Sequence, residues 1–398
     1  MVKRTMRVVI GCDQGVPSEL MRDALTVGKA LMQRGHTVAY VAGDPVALVD
    51  YAGSWTPNEL YQAPVRRTAP DLVMKQPIID GFADLMATVG FDDKPTLVVL
   101  ASLWSRLLQM LKPDAIIGFY APVLWLVGPM HAPTFALGSG IFMPPILGTS
   151  FPRLNADSSP LADEAMMLAN ANAALLRLGQ PPLAALSEIF DRSKSILYGV
   201  PAFDPYLQVR RSISSGLLGE EPTPTVPSAE ERLAALLDVY CPGIETIVLA
   251  LAGFDSTPVD VCVSSASTGM RRFLEQQPHI RVWKDYATLL EQAASASALI
   301  HHGVYDVAQR CISLGRPQLL IPWTREQEVF AGTVQWMRMS WIKQPTAPLE
   351  EMAGTFRGLT RDASLTVAAQ HHARQLASSM LPNALPAIIQ RVETTNPG

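Results

Sequence analysis

Short apolar runs alternate with segments of helical period along most of this chain. Arg7–Cys12 (RVVIGC) is a β-branched run, Asp13–Pro17 is a Gly/Pro loop, and Ser18–Arg34 repeats its apolar residues at helical spacing as far as Gly35-His36. Thr37–Ala42 is the next apolar run. The opening therefore predicts strand, loop, helix and strand, one half of a doubly wound sheet. Thr96–Leu111 predicts a long helix that leads through Lys112-Pro113-Asp114 into a strand at Ala115–Phe119. Ala121–Met130 predicts a helix, Pro133–Leu137 a strand, and Met167–Leu178 a helix stopped by Gly179.

The second half repeats this rhythm. Ile247–Ala252, Val259–Ser264, Arg281–Trp283, Ala298–Ile300 and Gln318–Ile321 read as strands separated by helical stretches of roughly 10–15 residues, the pattern of another parallel sheet. Arg361–Met380 and Ala384–Val392 read as closing helices, and the chain's end is expected to cross back to the first domain. Pro- and Ser-rich residues from Pro201 to Pro227 mark the link. A chain of 398 residues exceeds what one core usually fills. The expectation is an α/β protein of two Rossmann-like domains, residues 1–205 and 206–398, each a parallel sheet flanked by helices.

Composition narrows the classes. Hydrophobic residues make up 48% and charged ones 17%, which supports large cores and excludes disorder. The net charge of −4 leaves no basic footprint for nucleic acid. Cys12, Cys241, Cys262 and Cys311 show neither metal spacing nor a disulfide framework, and Cys12 and Cys262 read as buried strand residues. The most apolar patch, Ala115–Met130, is broken by Pro122 and Pro129 and is too short for a membrane span. No secretory signal is read at the start. These features set the expectation of a cytoplasmic protein with no integral membrane segment.

The stretch richest in chemistry is His301–Pro322, HHGVYDVAQRCISLGRPQLLIP, followed by Trp323–Ala331, WTREQEVFA. It reads as a buried strand ending in His-His-Gly, then a helix over Asp306–Leu314 with Asp306 as N-cap. A Gly-Arg-Pro turn, a second buried strand and a Glu-Gln pair follow. A glycine turn opening a helix at the carboxyl edge of a parallel strand presents backbone N–H groups and a positive dipole end, which suits a diphosphate. In order and spacing the stretch resembles the donor site of the UDP-glycosyltransferase-like family, inverting glycosyltransferases of GT-B-like fold. That family carries H-x-G-G-x-G-T, then an acidic residue or Gln, a G-x-P turn and a D/E-Q pair. His301, Gly303, Gly315, Pro317, Glu326 and Gln327 match. Val304, Tyr305 and Asp306 stand in place of Gly-x-Gly, Val307 replaces the small hydroxyl residue, and Arg310 falls at the ribose acid with Gln309 beside it. LKPDAIIGFYAP followed by APTFALGSGIFMPP resembles a bacterial subgroup, with Phe119 where that subgroup carries Asp. DQGVPSELMR lies where the subgroup reads G-G-G-L-G-H-x-x-R, so Glu19 takes the His position and Arg22 is kept.

The resemblance implies inverting transfer of a sugar from a UDP- or TDP-sugar to a small, lipophilic acceptor, without a cofactor or a metal. His301 and Gly303 would lie against the diphosphate, Gln309 against ribose, Glu326 and Gln327 against sugar hydroxyls, and Trp283 against the base. Glu19 or Asp13 would act as catalytic base, since desolvation raises a carboxylate toward neutrality. Phe135–Phe151 would line the acceptor. Arg271 and Arg272, after SSASTG, would approach phosphates. Each residue also has a plainer reading. Ser18 and Glu19 suit a helix start, His301 a strand-end turn, Trp283 a core position, and Glu326-Gln327 a first helical turn. A second functional reading stays open: a catalytically inactive member acting as a binding subunit, either a homodimer or the partner of an active glycosyltransferase. A sugar-nucleotide epimerase of the same architecture has less support, because its acidic and His set is not evident.

Overall fold

The structure is a computed structural model that describes residues 4–13, 18–52, 55, 57–66, 80–154, 162–219, 231–379 and 381–395. The side chains at 18, 19, 50, 287, 325 and 326 lie outside that description. The chain forms two compact units, Met1–Gly219 with Pro382–Gly398, and Glu220–Leu381. The Pro- and Ser-rich stretch, used above to set a boundary at 205/206, stays with the first unit as far as Gly219.

The first unit contains strands β1 (Arg7–Cys12), β2 (Thr37–Ala42), β3 (Leu60–Gln62), β4 (Ala115–Phe119), β5 (Thr134–Gly138) and β6 (Lys194–Leu197). Its helices are α1 (Ser18–Gln33), α2 (Pro45–Ala52), α3 (Phe82–Thr88), α4 (Lys94–Leu111), α5 (Pro122–Val127), α6 (Glu164–Arg177) and α7 (Glu188–Arg192). In the second unit the strands are β7 (Leu233–Asp238), β8 (Val259–Ser264), β9 (Ile280–Val282), β10 (Ala298–His301), β11 (Gln318–Leu320) and β12 (Ser340–Ile342). Helices α8 (Ile244–Ala252), α9 (Thr268–Glu275), α10 (Tyr286–Gln292), α11 (Tyr305–Leu314), α12 (Arg325–Gln335), α13 (Leu349–Arg361) and α14 (Ala363–Ser378) surround them. The last helix, α15 (Ala384–Glu393), returns to the first unit.

Both sheets are parallel, and among the described residues their orders are β3-β2-β1-β4-β5-β6 and β9-β8-β7-β10-β11-β12. Each order reverses beside its first strand, between β1 and β4 in one unit and between β7 and β10 in the other. Such switch points open a crevice at the carboxyl ends of the strands. The central strands are buried on both faces, which is why they appear in the sequence as unbroken apolar runs such as VVI and AII. Gly11 lets α5 lie on β1: a Cβ there would come within 2.2 Å of Leu124.

Two expected elements are corrected. Ile247–Ala252 is not a strand but most of α8, which starts after Gly243 (φ +77°) and ends at Gly253. Leu233–Asp238 (LAALLD) is β7, a central strand that the pattern did not reveal. A short run apolar at every position carries no period, so it cannot separate a buried strand from a buried helix. Leucine and alanine favour helix, but placement between β8 and β10 overrides that preference in β7. Cys12 and Cys262 are buried in β1 and β8 as expected. None of the described helices is long and apolar enough to cross a membrane.

The return of the chain is fixed by a polar clamp as well as by apolar packing. Ile388, Ile389 and Val392 of α15 are buried in the first core. Leu217 N–H donates to Pro382 O (2.9 Å) and Ala384 N–H to Leu217 O (2.7 Å). His36 accepts the Met6 N–H on Nδ1 (3.2 Å), so its other nitrogen carries the proton and donates to Glu393 Oε1 (3.0 Å). Arg34 donates to both Glu393 oxygens, at 3.0 and 3.1 Å. Glu393→Ala removes the acceptor of a buried imidazole N–H. It is expected to lower unfolding stability by about 1–3 kcal/mol and to speed proteolysis after residue 381, read by denaturant melts and limited digestion.

Candidate functional site

The switch point of the second unit gathers the His-His-Gly turn. His301 closes β10 and is fully buried. Its Nδ1 accepts the Val304 N–H (3.0 Å), which leaves Nε2–H to donate to Gln318 Oε1 (2.8 Å). Burial pushes its pKa down to about 3, so the ring is neutral. His302 has the opposite tautomer. Its Nδ1–H donates to Ile321 O (2.8 Å) and its Nε2 accepts the Asp238 N–H (2.9 Å), joining the ends of β7 and β11. Burial lowers its pKa as well. Both histidines therefore build the turn with every ring nitrogen already bonded.

Gly303 follows with φ +85°, and a Cβ there would lie 3.1 Å from Gln327 O. Only glycine meets both conditions without strain. Helix α11 then begins at Tyr305, with Val304 as N-cap and no side-chain cap. This corrects the expected N-cap: Asp306 lies inside the first turn, where its Oδ1 accepts Tyr286 OH (2.7 Å). The His301 ring accepts the N–H of the N-cap residue, Val304, and so holds the turn rather than capping the helix. Tyr305 packs on Phe330 of α12, ring centroids 5.5 Å apart. Gln309 is half-buried on α11. Gly315 (φ +70°) ends the helix, and buried Arg316 donates to Ala294 O (2.9 Å), Ala296 O (2.6 Å) and Leu314 O (2.8 Å), so the Gly-Arg-Pro turn is held from inside.

The Glu-Gln pair opens α12. Thr324 and Gln327 form a reciprocal capping box: Gln327 N–H donates to Thr324 Oγ1 (3.3 Å), and Gln327 Oε1 accepts the N–H groups of Thr324 (3.3 Å) and Trp323 (3.0 Å). The backbone of Glu326 lies in that first turn; its side chain is outside the described residues. Thus His301, Gly303 and Gln327 come together. Trp283 does not join them. It follows edge strand β9, with β8 and β7 intervening before β10, about 14 Å away at the usual strand spacing. Its indole N–H donates to Asp260 Oδ1 (2.9 Å), and the Arg281 guanidinium lies 4.0 Å from its ring centroid. Arg271 and Arg272 lie on α9, capped by Ser267. Asp238, whose N–H His302 accepts, was missed in the sequence because the strand it ends was missed.

In the first unit the switch point holds Asp13. The side chain is buried and its Oδ2 accepts the Val123 N–H (3.0 Å) in the first turn of α5, whose own N-cap, Ala121, has no acceptor. Burial raises the Asp13 pKa to about 7, against the opposing pull of the Val123 N–H and the Trp104 indole. Glu19 lies in the first turn of α1, with its side chain outside the described residues, as are Gln14–Pro17. Deeper in α1, Asp23 accepts a hydrogen bond from Tyr198 OH. The expected acceptor wall is mostly core: Phe135, Leu137, Phe142, Met143 and Phe151 are buried. Phe82, Tyr120, Trp125, Phe142, Phe151 and Phe190 form a contiguous aromatic cluster with centroids 5.2–6.4 Å apart. Residues 146–150 are the exposed part of that segment, Ile146 and Leu147 being its exposed large apolar side chains. Among the described residues no three His, Cys, Asp or Glu side chains gather in a group that could hold a metal.

Two pH effects follow. Folded Asp13 keeps its proton up to about pH 7 while the unfolded carboxyl loses it near the ordinary value of 3.8, so its contribution to stability is present below that value and lost as pH rises through 7. Asp13→Asn, which keeps the acceptor for Val123, is expected to be more stable than the parent at pH 8 by on the order of 1–4 kcal/mol, with the difference vanishing near pH 4. His301 behaves conversely: its neutral burial stabilises above the ordinary value of 6.5 and is lost toward its folded value of about 3. Thermal melts of the parent between pH 7 and 4 should show the second unit weakening, and a flat profile would contradict the buried neutral histidines.

No protein-family model matches this sequence, and no curated protein matches it. Solved structures do. The spinosyn rhamnosyltransferase SpnG, complexed with thymidine diphosphate, superposes with a TM-score of 0.64 at 15% identity, covering 98% of this chain and 100% of that one. CalG4, the calicheamicin glycosyltransferase, gives 0.63 at 16%, covering 98% of each chain. The glycosyltransferase SnogD from Streptomyces nogalater gives 0.56 at 17%, covering 98% and 99%. At these identities the likeness concerns architecture: this chain has the GT-B fold of two Rossmann-like domains.

Proposed function

We propose that this protein is a nucleotide-sugar glycosyltransferase that transfers a sugar, with inversion, from a TDP- or UDP-sugar to a small lipophilic acceptor. The observation that carries the reading is the turn after β10. It lies at a topological switch point, Gly303 adopts a positive φ, and α11 opens without a side-chain cap. First-turn N–H groups and the helix dipole there suit the diphosphate. His301 acts from behind, holding the turn through Val304, rather than as a charged partner. Gln327 and Glu326 at the start of α12 would face the sugar hydroxyls and Gln309 the ribose. Trp283 is assigned the base only by motif. The thymidine diphosphate bound by SpnG supports a TDP-type donor.

The first unit, Met1–Gly219 with Pro382–Gly398, would form the acceptor side and the second, Glu220–Leu381, the nucleotide-sugar side. In the transfer, an acceptor hydroxyl oxygen bonds to the anomeric carbon as the bond to the diphosphate oxygen breaks, the nucleoside diphosphate leaves, and the hydroxyl proton passes to a base. Asp13, titrating near neutrality, or Glu19 is assigned that role. A second reading, an inactive binding subunit that pairs with itself or with an active transferase, draws support from Asp306, whose carboxylate in the first turn opposes an anion.

Calorimetry and thermal shift with TDP, UDP and GDP separate the readings. Saturable binding of TDP or UDP is expected, and absence of heat and of any shift with all three would overturn the transferase reading. Gly303→Ala, strained at φ +85° and pressed on Gln327 O, is expected to weaken nucleotide binding at least tenfold while the parent fold is kept, as read by circular dichroism.

A further inference from the structure

A cavity of about 410 Å³ runs along β6, the outer strand of the first sheet and two positions from β4. Tyr198 N–H donates to Gly138 O (3.1 Å), on the β5 side. Strand alternation therefore turns the backbone groups of Ser195 and Leu197 outward. Ser215 N–H takes Leu197 O (2.8 Å). The Leu197 N–H and both backbone groups of Ser195 have no hydrogen-bond partner among the described residues. Pro144 and Pro145, which have no backbone N–H to offer, are among the lining residues. Ile146, Leu147 and Ile213 also line it and are 40%, 45% and 90% exposed.

Its charged lining is all positive: Arg210, Arg211 and Arg391, with no carboxylate. Arg210 is neutralised by an ion pair with Asp204. Neither Arg211 nor Arg391 has a carboxylate partner among the described residues. Among the described residues, two guanidinium groups without a carboxylate partner thus share the cavity with an open strand edge and a set of exposed apolar side chains.

We propose that this groove binds an extended acidic segment of a partner protein, which adds to β6 as a further strand. Main-chain hydrogen bonds to Ser195 and Leu197 supply the register, alternate apolar side chains cover Ile146, Leu147 and Ile213, and carboxylates meet Arg211 and Arg391. A second copy of this chain fits poorly: a twofold pairing of β6 with β6 brings the same arginines together. A small anion would meet the guanidinium groups but leave the strand edge and Ile213 uncovered. The proposal is independent of the donor reading, because no residue of either switch point lines the groove.

The test uses fluorescein-labelled, capped seven-residue peptides that alternate valine with aspartate, or valine with lysine, titrated into the full chain by fluorescence anisotropy. The acidic peptide is expected to bind at least tenfold more tightly than the basic one, and to weaken with salt. Methylating its alternate backbone nitrogens should abolish binding. The double variant Arg211→Glu, Arg391→Glu alters two exposed side chains; it should lose the acidic peptide at least tenfold, gain the basic one, and keep the parent's nucleotide response. Equal affinity for both peptides, no saturable binding, undiminished binding of the methylated peptide, or a parent dimer in sedimentation that the double variant dissolves would each overturn the proposal.

Discussion

Fully buried parallel strands bring backbone polar groups to the carboxyl edge of a sheet, where the next element must satisfy them from within. This constraint governs both switch points. In the first unit, Asp13 at the end of β1 accepts an N–H from α5, a helix that begins with alanine and proline and cannot cap itself. In the second, His301 accepts an N–H at the start of α11, and His302 accepts one from the end of β7. In each case a side chain has left water to complete a neighbour's hydrogen bonding, and the desolvation sets its protonation. The carboxyl is pushed up and the imidazoles are pushed down.

The same constraint reshapes the donor motif. The resemblance implied a histidine in contact with phosphate, yet a ring with both nitrogens engaged can act only through the turn it holds. What is left to meet an anion is backbone: the turn at Gly303 and the opening of α11. Asp306, at a glycine position of the resembled motif, and Tyr305 before it make contacts with Tyr286 of α10 and Phe330 of α12. The loss of small residues in the motif is thus accompanied by new side-chain partners on the flanking helices. Gln327 shows a parallel economy, since the same amide that the motif aligns with sugar recognition closes the capping box of α12.

Polar closure also explains what the sheet edge at β6 does not do. Interior strands meet another strand on both sides, and even the end of the edge strand β6 is covered by Ser215. The stretch at Ser195 instead borders a cavity lined by two prolines and by Arg211 and Arg391, which have no carboxylate partner among the described residues. A natural edge is usually blunted by charge, and positive charge on an edge repels a second copy. The arginines are therefore consistent with protection against self-pairing and with selection of an acidic strand.

The sequence alone determined the architecture, because parallel strands buried on both faces need unbroken apolar runs, and helices between them need an amphipathic period. RVVIGC, TVAYVA, AIIGF and the turn at Gly303 could be read directly for that reason. It did not determine which short apolar runs were strands: IVLALA, read as a strand, is helical and LAALLD, left unassigned, is a strand, since uniform apolarity has no period and only packing between neighbours decides. It also placed His301, Gly303 and Gln327 in one site, because motif spacing encodes strand, turn and helix. Tertiary structure alone decided that Trp283 lies across the sheet from that turn, that Asp13 caps a helix more than a hundred residues along the chain, and that the ring nitrogens of His301 are taken. Those outcomes depend on hydrogen-bond partners distant in sequence, and partners of that kind leave no local pattern.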